Sequence, residues 1–130
     1  MKKCLLDSSF VIDLLNEIAD GEAGPASSWL KRNPAARLWI TPVTLVEVLE
    51  GAEDPEAVRS YLGRYSWQGM HRVHAVTAAQ RQRRSSRRMG ENDAWRVAVA
   101  VSMGATVVGH DPEAFQRAGV TYEDHRRTRR

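Results

Sequence analysis

Read from its amino terminus, the chain alternates brief apolar runs with longer stretches whose apolar residues recur every three or four positions. Lys3 to Leu6 predicts a short strand that stops at Asp7. Ser8 or Ser9 then caps a helix to about Asn16, with Phe10, Leu14 and Ile18 at helical spacing. After a turn at Gly21 to Pro25, Ala26 to Lys31 predicts a short helix closed by Asn33-Pro34, and Leu38 to Ile40 a second strand. Thr41-Pro42 and Asp54-Pro55 each pair a capping residue with proline at the first helical position. They open helices running to Glu50 and to about Tyr65. Arg72 to Val76 predicts a third strand, and Thr77 the cap of a long polar helix reaching Met89. Gly90 breaks that helix, and Asp93 to Met103 is an apolar one. Thr106 to Val108 predicts a fourth strand, Pro112 to Ala118 a last helix and Val120 to Tyr122 a weak strand.

Strands alternating with helices predict an α/β fold whose central sheet is mostly parallel, has 4–5 strands and is covered on both faces. In such sheets ligands sit beyond the carboxyl ends of the strands. Asp7 and Asp111 both fall at predicted strand ends, which makes them candidates on position alone. Glu47 lies on or beside the apolar stripe of its helix, with Val43 and Val46 as neighbours, a costly place for a lone carboxylate unless it is solvated or paired with an arginine. Asp93 enters the apolar helix, where an acid is favoured by the free N–H groups of the first turn, although Asn92 could equally be the cap. Should these four converge, they could not all stay ionised without a counter-charge. A hard divalent cation, Mg²⁺ or Mn²⁺, takes such oxygen ligands and could activate water for attack on a phosphodiester.

Composition and charge narrow the classes. The 130 residues, 42% hydrophobic and 27% charged, suit one folded domain, expected over residues 1–124 with a frayed basic tail at 125–130. No apolar run approaches the ~20 residues of a membrane span. Asp7 comes too early for a signal peptide, and a single cysteine, Cys4, fits a buried thiol in a reducing cytoplasm. Residues 1–65 carry 7 Lys/Arg against 10 Asp/Glu, whereas residues 66–130 carry 12 Arg against 6 Asp/Glu. A basic half of this kind is compatible with a nucleic-acid partner. Within it, "RQRRSSRR" (81–88) reads first as a solvated helix face. Lining a groove beside the acids, its arginines, Arg84 and Arg88 among them, could instead grip RNA phosphates. The four histidines form no metal-ligand spacing, and His110, next to Asp111, could touch a phosphate. Asp13, six residues after Asp7, is expected to face elsewhere in a structural role.

Four stretches in order, "LLDSSFVIDLL" (5–15), "ITPVTLVEVLEG" (40–51), "GENDAWRVAVAVSMGATVV" (90–108) and "HDPEAF" (110–115), resemble the PIN-domain ribonucleases, most of all the VapC-type toxins of bacterial toxin–antitoxin pairs. The resemblance implies a three-layer α/β/α fold and a metal-dependent endoribonuclease. It assigns Asp7, Glu47, Asp93 and Asp111 to a quartet binding Mg²⁺ or Mn²⁺, with a metal-bound water as nucleophile and Ser9 and Asn92 supporting the acids. It also implies a homodimer and a cognate antitoxin covering the active groove. Two residues depart from the family pattern. Arg96 stands three places after the third acid, where it could compete with metal for the carboxylates or bind substrate phosphate. Gly109 stands where Ser or Thr often supports the fourth acid. The rival readings are a non-toxin or degenerate PIN domain acting in RNA processing or binding, and a flavodoxin-like receiver using the same carboxylates for Mg²⁺.

Overall fold

The computed structural model describes residues 2–111 and 119–127. Its elements run β1 (Lys3–Leu6), α1 (Ser8–Asp20), α2 (Pro25–Arg32), β2 (Arg37–Ile40), α3 (Pro42–Glu50), α4 (Pro55–Leu62), β3 (Ser66–Trp67), α5 (Arg72–Arg84), α6 (Glu91–Met103), β4 (Thr106–Gly109) and β5 (Tyr122–Asp124). The five strands form one sheet in the order β3-β2-β1-β4-β5, and every described pairing is parallel.

Alternation along the strands divides the core. Leu5 of β1 and Val107 of β4 are register partners and face α5 and α6, packing with Ala78, Ala94 and Val97–Ala100. Cys4, Leu6 and Val108 point to the other face, against Phe10, Val11, Leu14, Trp29, Val48 and Leu62 from α1 to α4. Side chains of successive strand residues point to opposite faces, so strands this apolar require cover on both sides. The result is the three-layer α/β/α sandwich. Chain order reverses at β1: the path moves outward to β2 and β3 on one side and returns to β4 and β5 on the other. The crevice between the carboxyl ends of β1 and β4 is the switch point where such folds place ligands.

Several expected boundaries move. Arg72 to Val76 is the start of α5, not a strand. A helix there buries His74 and Ala78, one turn apart, and leaves Val73 and Val76 exposed; as a strand these residues would lack a partner, because the place beside β2 is taken by the two-residue β3. The helix also ends at Arg84, short of Met89. Gln82 folds its amide onto both the N–H and the carbonyl of Met89 (2.9 and 2.8 Å), tying an irregular segment that buries Met89 in the core. Asp7 rather than Ser8 or Ser9 precedes the first turn of α1, which continues past Asn16 to a left-handed Gly21 (φ 69°). The α4 helix ends at Leu62, and β5 lies two residues later than expected. His125 is not frayed. It is buried against Phe10, and its Nε2 meets Asp13 Oδ2 at 2.7 Å, with Arg126 on both oxygens of the same carboxylate. The helix expected at Pro112 to Ala118 lies outside the described residues.

Candidate active site

The elements bring three acids to the carboxyl edge of the sheet, each for a local reason. Asp7 directly follows β1, and its backbone N–H donates to Val108 O (2.9 Å), fixing the residue against the end of β4. Its carbonyl accepts from Phe10 and Val11 as α1 begins, so the side chain is held at the strand-to-helix corner. Glu47 lies in the second turn of α3. That helix is set by Thr41, whose hydroxyl accepts from Thr44 N, and by the Thr44 hydroxyl, which donates to Leu6 O at the end of β1 (3.1 Å). Asp93 is in the first turn of α6, which runs against the strands and so starts at their carboxyl edge.

The three carboxylates meet around one group, the guanidinium of Arg96. Its Nη1 lies 2.8 Å from both Asp7 Oδ1 and Asp93 Oδ1, and its Nη2 contacts Glu47 Oε1. Arg96 is 3% exposed and Asp7 4%. The arginine spacing that put residue 96 one turn from residue 93 therefore carries further than a neighbouring pair: Arg96 is the centre of the cluster. Its side chain is turned inward onto the three acids and is buried. Burial, then the charges of Asp7 and Asp111, pushes the Asp93 carboxyl up to about 6, while the adjacent guanidinium pulls the other way. Burial lowers the Arg96 pKa against the opposing pull of Asp7 and Asp111. A guanidinium nonetheless stays protonated.

Asp111 is exposed and makes no ion pair with Arg96, although its charge is felt by Asp93 and Arg96. Its backbone N–H donates to the Tyr122 hydroxyl at 2.5 Å. Nothing in the sequence pointed to Tyr122, because the link depends on β5 lying beside β4. Ser9 supports the cluster more directly: its hydroxyl donates to Asp7 Oδ2 (2.7 Å) and accepts from His110 N (2.8 Å). Gly109 has a geometric explanation. A Cβ there would stand 2.6 Å from Asp7 Cβ and 2.8 Å from Ser9 Oγ, so the space is already filled by the Ser9–Asp7 pair. Asn92 Nδ2 reaches Glu47 Oε2 at 3.5 Å, a long contact on the exposed rim. His110 Nδ1 lies 3.0 Å from Asp124 Oδ1. Arg84 and Arg88 stay outside the cluster and make no ion pair with its acids among the described residues. Arg88 instead lines a cavity with Trp95, on the side of α6 that faces α5. Beside Glu47, a second cavity of about 160 Å³ is lined by Pro42, Val43, Val46, Met70 and Asn92.

The donor set, carboxylate oxygens at a sheet edge, is that of a hard divalent cation. As arranged, the residues do not fit one: among the described residues no three acidic, His or Cys side chains are spaced to hold a metal ion, and the guanidinium takes the point on which they converge.

Comparison with known proteins bears on the fold that carries these residues. The chain is similar in structure to the toxin–antitoxin complex VapBC from Salmonella typhimurium bound to DNA, with 23% identity, coverage of 96% of this chain and 99% of that one, and a TM-score of 0.78. It is similar to VapBC-1 from nontypeable Haemophilus influenzae at 20% identity, 96% and 99% coverage and a TM-score of 0.73. It is also similar to VapC20, a sarcin–ricin loop cleaving toxin of Mycobacterium tuberculosis, at 16% identity, 91% and 96% coverage and a TM-score of 0.66. At these identities the likeness is one of fold. No curated protein sequence matches the chain significantly. A family model for the PIN domain, however, matches residues 4–120. The chain belongs to the PIN domain family.

Proposed function

We propose that this chain is an endoribonuclease that hydrolyses RNA phosphodiester bonds with Mg²⁺ or Mn²⁺, and that it is the toxin of a toxin–antitoxin pair acting in the cytoplasm. The observation that carries the reading is the meeting of Asp7, Glu47 and Asp93 at the switch point of the sheet, with Asp111 close enough for its charge to be felt. Carboxylates buried together have little structural value, since each loses hydration and repels the others. Their placement at a ligand-binding edge suits a site that takes up positive charge. Ser9 orients Asp7, and Asn92 lies at the Glu47 rim.

Membership of the PIN family supports a nuclease, and the neighbouring structures, being toxin–antitoxin complexes, support an antitoxin partner. The exposed Val46 and the apolar cavity beside Glu47 offer such a partner, or a second copy of this chain in a homodimer, a surface next to the acids. Among the described residues no helix is long and apolar enough to cross a membrane.

The test is cleavage of a mixed RNA substrate by the purified protein. The expected result is cleavage with Mn²⁺ or Mg²⁺, none in EDTA, and loss of at least a hundredfold in Asp7→Asn or Asp93→Asn with the circular-dichroism spectrum unchanged. Undiminished cleavage in EDTA would overturn the metal-dependent reading. One observation favours a second reading, a PIN domain that binds RNA without cutting it: Arg96 already supplies charge to the acids. RNA binding with no cleavage under any divalent cation would select it.

A further inference from the structure

We propose that a second pocket on the carboxyl edge of the sheet, built from Arg32, Arg126 and Arg127, grips a backbone phosphate of RNA lying across that edge. The proposal deepens the reading of the chain as one that acts on RNA, and rests on it.

The pocket is a cavity of about 200 Å³ lined by Pro25, Ser28, Arg32, His125, Arg126 and Arg127. Arginines dominate this lining, and it holds no acid. Arg126 is fixed by Asp13, which accepts from its Nε and Nη2 at 2.8 and 2.9 Å. A paired contact of this kind sets the plane of the guanidinium fork. A guanidinium has five N–H donors, so Nη1 and one N–H of Nη2 are left for a ligand. The turn that follows β5 places Arg126 and Arg127 side by side: Asp124 accepts from Arg126 N at its Oδ1 (3.0 Å) and from Arg127 N at its carbonyl (3.1 Å). Arg32 and Arg127 are exposed and make no ion pair among the described residues. Three guanidiniums against the one carboxylate of Asp13 leave positive charge that the fold does not use. Guanidinium forks match the geometry of phosphate oxygens, and the Ser28 hydroxyl adds a neutral donor. The location points to the phosphate of an RNA strand. His125 N donates to Gly109 O at the end of β4 (3.2 Å), and the His125 and His110 rings are 6.5 Å apart. His110 N in turn donates to Ser9 Oγ, which donates to Asp7. Pocket and acids are thus joined by one run of contacts along a single edge. A single strand carries a phosphate at every nucleotide, so a strand held at the acids has others to offer the pocket. Such a contact sets the register of the strand without reading its sequence.

The experiment measures binding of a short fluorescein-labelled single-stranded RNA by anisotropy, in EDTA so that the RNA stays intact. It compares the wild-type chain with Arg32→Gln/Arg127→Gln and with Lys3→Gln/Arg37→Gln. The second pair removes the same charge from exposed positions at the amino-terminal ends of β1 and β2, the opposite edge of the sheet. The expected result is at least tenfold weaker binding in Arg32→Gln/Arg127→Gln only. Its log affinity should also depend less steeply on log salt, by about 0.7, the value for one single-strand phosphate contact. Unchanged affinity, or an equal loss in both double variants, would overturn the proposal. Sodium phosphate at matched ionic strength should displace RNA from the wild type better than NaCl, and should lose that advantage in Arg32→Gln/Arg127→Gln. Lost phosphate binding with RNA affinity still at the wild-type level would make the pocket a site for free anions and overturn the RNA contact. Cleavage assays with Mn²⁺ separate the pocket from the reading beneath it. Cleavage by the wild type with equal RNA affinity in all three proteins removes the pocket and keeps the nuclease. Weaker binding in Arg32→Gln/Arg127→Gln with no cleavage by any form keeps the pocket and removes the nuclease.

Discussion

Gly109 and Ser9 show how closely single residues are matched at the site. The Ser9 hydroxyl occupies the volume that a side chain at 109 would need, and it uses that place to bond both Asp7 and the backbone of His110. The glycine is required by crowding rather than by an unusual backbone angle. Gly109→Ala is accordingly expected to destabilise the fold by about 2 kcal/mol, the usual cost of forcing extra volume into a packed site. It should also lower RNA cleavage, because the new methyl meets Asp7 Cβ rather than the movable end of a long side chain. Urea denaturation alongside the cleavage assay checks both, and an unchanged midpoint would mean that β1 and β4 can separate without cost.

Among the elements, α5 has the most conditional start. Its opening residue His71 donates its backbone N–H to Nδ1 of His74 (2.9 Å), so the bond exists only while that nitrogen is unprotonated. Burial, and secondarily the charge of His71, lowers the His74 pKa. The folded state therefore prefers neutral His74, whereas the unfolded chain takes up the proton at the ordinary value of about 6.5. The contribution is fully present above pH 6.5 and is lost as pH falls from there toward the lowered folded value. The melting temperature should drop between pH 7.5 and 5.5, and amide exchange at the start of α5 should accelerate. In His74→Asn the drop should be smaller; an equal drop in that variant would assign the pH response to other groups.

At the scale of the whole molecule, the end of the described chain is clamped onto the first helix. Asp13 takes His125 Nε2 and both Nε and Nη2 of Arg126, more than one hundred residues away in sequence. The His125 ring is buried edge-on against Phe10, at 4.9 Å between ring centres, in the core layer that also holds Leu6 and Val108. His125→Ala should cost about 3 kcal/mol, as for other large buried rings. The hydrogen bond from Arg126, offset in part by burial and aided by His125, lowers the Asp13 pKa. A lowered carboxylate contributes stability that is present above its unfolded value of about 3.9 and is lost as pH falls through the folded value. Asp13→Ala should therefore be less stable than the wild type at pH 7, and the gap between them should narrow as pH falls below 4, because only the wild type has this contribution to lose. Urea denaturation at pH 7, 4 and 3 checks this, and a gap that stays constant would assign the effect to packing rather than to the Asp13 charge.

Much of this protein was determined locally and could be read without a structure. Thr41-Pro42 and Asp54-Pro55 start helices because a side-chain oxygen meets the free N–H groups of the first turn and proline has no N–H to satisfy there. The expected strand ends at Asp7 and Asp111, the acidic entry to α6 and the odd glutamate in α3 rest on the same short-range rules, which nominated four acids as candidates; the structure gathers Asp7, Glu47 and Asp93 of them around Arg96. The tertiary structure decided what no spacing contains. Arg72 to Val76 has a strand-like composition, yet the sheet edge is taken by Ser66–Trp67 and the segment becomes helix. Tyr122 reaches Asp111, and His125 reaches Asp13, only because β5 is laid beside β4. Arg96 could be seen from sequence as a neighbour of Asp93, one turn along a helix. Its position among all three acids required β1, α3 and α6 to be brought to one edge of the sheet, and charges placed by separate elements interact only after those elements have packed.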